Sequence, residues 1–215
     1  MTRSRSDRLR VLRSDELTRR QLDRVAEVYE QAFPPELRVP FAELATPSAV
    51  DMMLVALDGD EPVGFAATMR LGESGWTFLR YYGISVSRRQ QGLGLRFWRL
   101  LLPAVAAAGW PTEVLFEVED PRHAEDDAPE QSVRHARIAF WQACGARLLG
   151  IDGYVMPDLT GLASPEPMRL MAYHAASGDL QPDQVTGLVR ALYSCRYGLG
   201  SDHPMVAAAV ASVIQ

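Results

Sequence analysis

Ile84-Ser-Val-Ser-Arg-Arg-Gln-Gln-Gly-Leu-Gly-Leu95, continued by Arg96-Phe-Trp-Arg-Leu-Leu-Leu102, reads as the end of an apolar strand, a tight turn with two glycines and an amphipathic helix. A strand that feeds straight into a helix leaves backbone N–H groups at the helix start without intrahelical partners. Those donors and the positive end of the helix dipole suit a phosphate or pyrophosphate. Gly92 and Gly94 carry no Cβ, so a ligand can approach the backbone closely. Arg88 and Arg89 are expected to add positive charge beside the turn.

Two phosphate-binding turns do not fit. A Walker-type loop needs Gly-Lys-Ser/Thr after four spacer residues. This chain has no lysine, and its 22 basic residues are all arginine. A dinucleotide fingerprint needs a third glycine where helix and strand pack. Phe97 stands at that position. The spacing that fits is [RQ]-x-x-G-x-[GA], present as Arg89-Gln-Gln-Gly92-Leu-Gly94.

The flanks extend the pattern. Trp76 to Val86 is an aromatic and β-branched run, and Glu113 to Glu119 is a second strand. Met53 to Leu57 and Val63 to Met69 flank an Asp58-Gly-Asp turn and read as a hairpin. Arg137-Ile-Ala-Phe-Trp-Gln-Ala-Cys-Gly-Ala146 is similar to a helical signature R-x-x-F-Y-x-x-x-G-F, with Trp141 at the tyrosine position. With these motifs in this order, roughly residues 9–173 resemble the GNAT acyltransferase superfamily. The resemblance implies an α/β domain with a mixed, mostly antiparallel sheet flanked by helices. It also implies acetyl-CoA as co-substrate and acyl transfer to a primary amine of a small molecule or peptide. An acyl-CoA-binding module without turnover is the rival reading.

Residue by residue, the resemblance assigns the pantetheine edge to Tyr82, Gly83, Ile84, Ser85 and Val86. It assigns the pyrophosphate to the N–H groups of Gln91, Gly92, Leu93, Gly94 and Leu95, with Arg89 and Gln90 nearby. Trp141 is expected against the cofactor arm. The strand carboxylate that many relatives use as base is missing, because Arg80 stands in its place. Glu117 and Glu119 alternate with Val118, share one face of the next strand, and are the nearest replacements. Glu119, nearer the strand end, is the better placed; His123 and His135 are further candidates for a base. Trp141 cannot act as the acid, since an indole is a donor only. Tyr81 or Tyr82 is the substitute, unless the thiolate leaves unassisted.

The remaining chain sets bounds. With 47% hydrophobic residues, 215 residues can bury one substantial core. The expectation is a catalytic domain over 1–175 and a helical extension over 176–215. The extension can dock on the domain or join two subunits in a homodimer, and the sequence leaves both open. A net charge of -5 and the absence of a basic stripe beyond the first dozen residues argue against nucleic acid as a partner. No apolar run approaches a membrane span, and Thr2 to Arg8 lacks the apolar stretch of a secretory signal, so a cytoplasmic protein is expected. Cys144 and Cys195 have no ligand-spaced partners, so no metal is expected and both are read as buried free thiols.

Helices are expected from a Ser14 cap through Phe33, over Glu36–Leu44, from Gly94 until Pro103 kinks or ends it, over Val133–Cys144, over Asp183–Tyr197 and from His203. Phe33, Pro34, Glu36, Arg38 and Phe41 are candidates for acceptor contact by the resemblance. Asp120 to Ser132 reads as a long acidic loop that could attract a cationic acceptor. Gly161 to Pro167 reads as a turn-rich connection.

Overall fold

Residues 9–124, 126–158, 165–175 and 178–214 are described by a computed structural model. They form two compact units, residues 9–69 with 79–112, and residues 70–78 with 113–214. Strand β4 (Thr77–Ile84) runs covalently from the second into the first.

The first unit is built on a hairpin. Strands β2 (Asp51–Asp58) and β3 (Glu61–Arg70) pair antiparallel across a two-residue turn, Gly59-Asp60, with Gly59 at φ +66°. Strand β1 (Leu9–Arg13) pairs antiparallel with the outer edge of β2, and β4 continues the order on the other side of β3. Met53, Val55 and Leu57 recur with the strand period of two. They bury one face against Phe65, Ala67 and Tyr81, and against Val25, Val28 and Tyr29 of helix α1 (Arg19–Ala32). The intervening Leu54 and Ala56 are buried too, so the strand reads as a continuous apolar run.

Thr18, not Ser14, caps α1. Its hydroxyl accepts from the Gln21 N–H at 3.3 Å, and Gln21 Oε1 accepts from the Thr18 N–H at 3.0 Å. Ser14 lies instead in a short 3-10 turn over Ser14–Glu16. The single helix expected over Glu36–Leu44 is two pieces, a 3-10 turn at Pro35–Leu37 and helix α2 (Phe41–Ala45). Pro40 separates them, because the residue before a proline is pushed out of helical geometry. Val39 is held there by Tyr29, whose hydroxyl accepts its N–H at 2.9 Å and donates to its carbonyl at 3.0 Å.

Helix α3 (Leu93–Ala107) buries Phe97, Trp98, Leu101 and Val105 along one stripe. It runs through Pro103 rather than ending there. Its packed stripe continues past the missing N–H, so tertiary burial outweighs the lost hydrogen bond.

In the second unit β4 pairs parallel with β5 (Val114–Glu119) at Thr77↔Val114 and Phe78↔Leu115. Strand β8 (Glu166–Tyr173) runs antiparallel along β5, and two short strands, β6 (Arg147–Leu148) and β7 (Val155–Met156), pair with β8. Helix α4 (Ala128–Ala143) begins five residues before Val133, because Asp127 caps it by accepting from the Glu130 N–H at 3.0 Å. Gly145, at φ +91°, follows its end. Helix α5 (Pro182–Tyr197) opens with Pro182, and helix α6 (Pro204–Ala211) is capped by the His203 ring. Tyr193 donates to the Val155 carbonyl at 2.7 Å, and Val213 bridges to Ile151, so these tail residues pack within the second unit. Cys144 is buried as expected, whereas Cys195 is exposed. The expected connection from Gly161 lies outside the described residues as far as Ser164.

Strands β3 and β4 approach closely at Gly64. A Cβ there would sit 2.6 Å from Ile84 Cδ1 and 2.8 Å from the Gly83 carbonyl oxygen. The carbonyl cannot rotate away as a side chain can. Gly64→Ala is expected to destabilise the fold by about 1–3 kcal/mol through overpacking, read as a lower urea midpoint at unchanged m-value.

Candidate functional site

The turn after β4 is held by its own backbone. Ser85 is buried and its N–H still donates to the Val63 carbonyl at 2.9 Å. Val86–Arg88 form a 3-10 turn in which the Arg88 N–H donates to the Ser85 carbonyl at 2.8 Å. Gln90 then takes φ +61°, the one non-glycine residue with positive φ among those described. Glutamine gains nothing there locally, so the conformation is imposed by the turn. Gly92 is also left-handed, at φ +71° and ψ +5°, and stands at the N-cap of α3 with no side chain to cap the helix.

That missing cap exposes the amides. The Arg96 N–H reaches the Gly92 carbonyl at 3.2 Å. The N–H groups of Gln91, Gly92, Leu93, Gly94 and Leu95 find no partner among the described residues. Gln91 and Gly92 are exposed, and a Cβ built on Gly92 would meet nothing within 4 Å. Space over Gly92 is therefore open, with the positive dipole end of the helix behind it.

Tyr82 secures the turn from below. Its ring stacks on Phe97 with centroids 5.1 Å apart, and its hydroxyl donates to the Gly94 carbonyl at 2.6 Å. The two arginines play different parts. Arg88 is tied to the β2–β3 hairpin, 3.4 Å from Asp58 and 3.1 Å from Glu61, so its charge is largely compensated. Arg89 is exposed and its Nε donates to the Ile84 carbonyl at 3.2 Å. The free positive charge beside the turn is thus Arg89 rather than both.

Arg80, at the position of the missing strand carboxylate, lies mostly buried and pairs with Asp51 at 2.9 Å. Phe33 and Phe41 both pack their rings against Tyr29, at 5.7 and 6.0 Å. Pro34 is exposed and Arg38 half-buried; the side chain of Glu36 lies outside what is described.

On β5 of the second unit the two glutamates share a face but not an environment. Glu119 pairs with Arg137 of α4 and keeps partial solvent contact. Glu117 accepts from the Tyr154 hydroxyl and, at 2.7 Å, from the Tyr197 hydroxyl. Burial pushes the Glu117 carboxyl above the ordinary carboxylate range, and the two phenol hydrogen bonds only partly oppose this. Burial, reinforced by that carboxylate, pushes both phenols well up. Nothing local marks Tyr154 and Tyr197 as its partners, since they lie 37 and 80 residues away.

Trp141 is buried, 4.4 Å from the Phe116 ring centroid and 5.0 Å from Phe140. The acidic loop is shorter than its sequence implies. Asp120 is buried, and Arg122 clamps it with its backbone N–H and guanidinium at 2.7–3.1 Å. Burial alone would raise this carboxyl, but Arg122 outweighs it and holds the pKa below the ordinary range. His123 is exposed, and the exposed His135 ring bonds the Gln131 carbonyl of its own helix. No group of three or more metal-ligating residues occurs among the described residues, and no helix there is long and apolar enough to cross a membrane.

Structural comparison identifies the fold. The chain has the GNAT fold, an α/β architecture with a mixed, mostly antiparallel sheet. It aligns with a GNAT-family protein from Bacteroides thetaiotaomicron at TM-score 0.68 and 21% identity, over 89% of this chain and 99% of the other. An aminoglycoside 6'-N-acetyltransferase complexed with coenzyme A aligns at TM-score 0.55 and 18% identity, over 76% and 96%. A ribosomal-protein alanine N-acetyltransferase from Escherichia coli aligns at 0.54 and 16%, over 80% and 99%. No family profile and no curated protein matches the sequence.

The Glu117 cluster gives a pH test. Its folded pKa is raised, so ionising it in the native state costs stability as pH rises through that value. Glu117→Gln keeps an acceptor for the tyrosines and removes the ionisation. The stability of this variant relative to wild type should therefore increase from pH 4 to pH 8, measured by urea unfolding across that range.

Proposed function

We propose that the protein is an acyl-CoA-dependent N-acyltransferase that moves an acetyl group from acetyl-CoA to a primary amine. The observation that carries this reading is the open mouth of α3, where a side-chain-free, left-handed Gly92 leaves five successive amides unpartnered. A diphosphate supplies the acceptor oxygens such a row needs. Arg89 adds the nearby charge, and Gln90 shapes the turn through its positive φ. The pantetheine arm is assigned to the edge at Ile84, Ser85 and Val86; the Ser85 N–H and carbonyl are spent on Val63 and Arg88, so the Val86 N–H is the backbone group offered to it, as a strand edge receives a peptide. The fold shared with a coenzyme-A-complexed acetyltransferase supports the same ligand.

The chemistry is direct attack. The neutral amine nitrogen adds to the thioester carbonyl, the C–S bond breaks, and the amide forms as coenzyme A leaves. Proton removal from the amine is assigned to Glu119, whose partial exposure lets it work through water. Glu117, committed to two phenols, serves to hold the strand. Tyr82 holds the turn through Gly94 instead of supplying a proton. Leaving as a thiolate needs little assistance, since an alkyl thiol has a pKa of about 8.5. The acceptor class is a small-molecule amine or a peptide N-terminus; the structural neighbours include an aminoglycoside 6'-N-acetyltransferase and a ribosomal-protein alanine N-acetyltransferase.

The second reading, an acyl-CoA binder without turnover, is favoured by the Arg80–Asp51 pair at the usual carboxylate position. One set of measurements separates the two. Calorimetry should give acetyl-CoA binding that Gly92→Glu abolishes, because a carboxylate would occupy the phosphate space. Unchanged affinity in that variant places the diphosphate elsewhere. Thiol release across an amine panel should exceed the blank only for the enzyme. Glu119→Gln should lower kcat about 10²-fold or more while leaving the acetyl-CoA Kd unchanged.

A further inference from the structure

A cavity of about 430 Å³ lies within the second unit, apart from every residue assigned above. Its volume is within the range of about 300–1,000 Å³ typical of small-molecule sites. One wall is apolar and includes Leu149, Leu180 and Val185. Leu148 and Ile214, two of the few large hydrophobic side chains exposed among the described residues, also line it. Their exposure at a concave site is what an apolar ligand would cover.

The polar wall carries Arg147, His174 and Asp179, together with Gln181 and Pro182 at the positive end of the α5 dipole. Arg147 reaches Asp179 at 3.4 Å through one nitrogen, which also donates to the Gly178 carbonyl. Asp179 is almost fully exposed and Arg147 half exposed, so this pair is weak and easily exchanged. The fork of Arg147 is built to take a carboxylate with two donors, and Asp179 engages only one. His174 Nδ1 is closed off from solvent and has no hydrogen-bond partner.

We infer that this cavity binds a small apolar monocarboxylate, its tail against Leu148, Leu149, Val185 and Ile214 and its carboxylate on Arg147 in place of Asp179. Asp179 then acts as a resident competitor that keeps the guanidinium oriented when the site is empty. The inference stands independently of the acyl-transfer reading, because none of its residues belongs to the α3 turn or to β5.

Octanoate is a suitable probe and octanol its uncharged control, both titrated into the full chain by calorimetry. The expected result is octanoate binding at least tenfold tighter than octanol. Arg147→Gln should weaken octanoate about tenfold, and Asp179→Asn should tighten it about threefold by removing the competitor. Both positions are exposed, so neither variant threatens the fold, and unfolding midpoints equal to wild type verify this. Equal affinity for octanoate and octanol, no binding of either, or an Arg147→Gln variant that binds octanoate as wild type does would each overturn the inference.

Discussion

Everything attributed to the first unit rests on one backbone constraint: α3 begins on a residue in left-handed geometry with no side chain. An ordinary helix start places Ser, Thr, Asp or Asn at the N-cap and spends its oxygen on the first free amides. Here Gly92 supplies no oxygen, and the preceding Gln90 is forced to positive φ, so the donors stay available. Leaving amides free at an exposed helix end is tolerable because water can serve them. Donors of this kind suit an anion in place of that water.

The surroundings keep this turn in place. Buried Ser85 extends the β3–β4 pairing by one residue, and Gly64 lets the strands approach closely. Tyr82 ties the Gly94 carbonyl to the sheet, and Phe97 fills the space beneath it. Phe97 is therefore more than a departure from a dinucleotide fingerprint: it is the core residue on which the turn is stacked. Arg88 contributes by clamping the hairpin.

The second unit shows how burial separates two similar residues. Glu117 and Glu119 stand two residues apart on one strand face. Tyr154 and Tyr197 close over the first, and Arg137 meets the second. One carboxyl is raised and satisfied by phenols; the other stays at the rim beside a guanidinium. The tail helix α5 supplies Tyr197, so the C-terminal residues take part in the strand's electrostatics.

What the sequence by itself determined follows from local physics. The hairpin turn at Gly59-Asp60, the strand before the glycine turn, the Gly145 stop and the Pro182 start all depend on neighbours within a few residues, and the expected glycine-turn spacing describes the observed one. Where two local signals competed, a capping hydrogen bond made the choice. Thr18 displaced Ser14 as a cap because Gln21 completes a reciprocal pair, and Asp127 started α4 before the apolar stripe became visible. Only tertiary structure decided the state of the charged groups. Arg80 against Asp51, Arg88 against the hairpin and Glu117 under two distant tyrosines are contacts between residues dozens of positions apart, and no spacing rule encodes them. Charge and exposure belong to the assembled surface, which one-dimensional pattern does not carry.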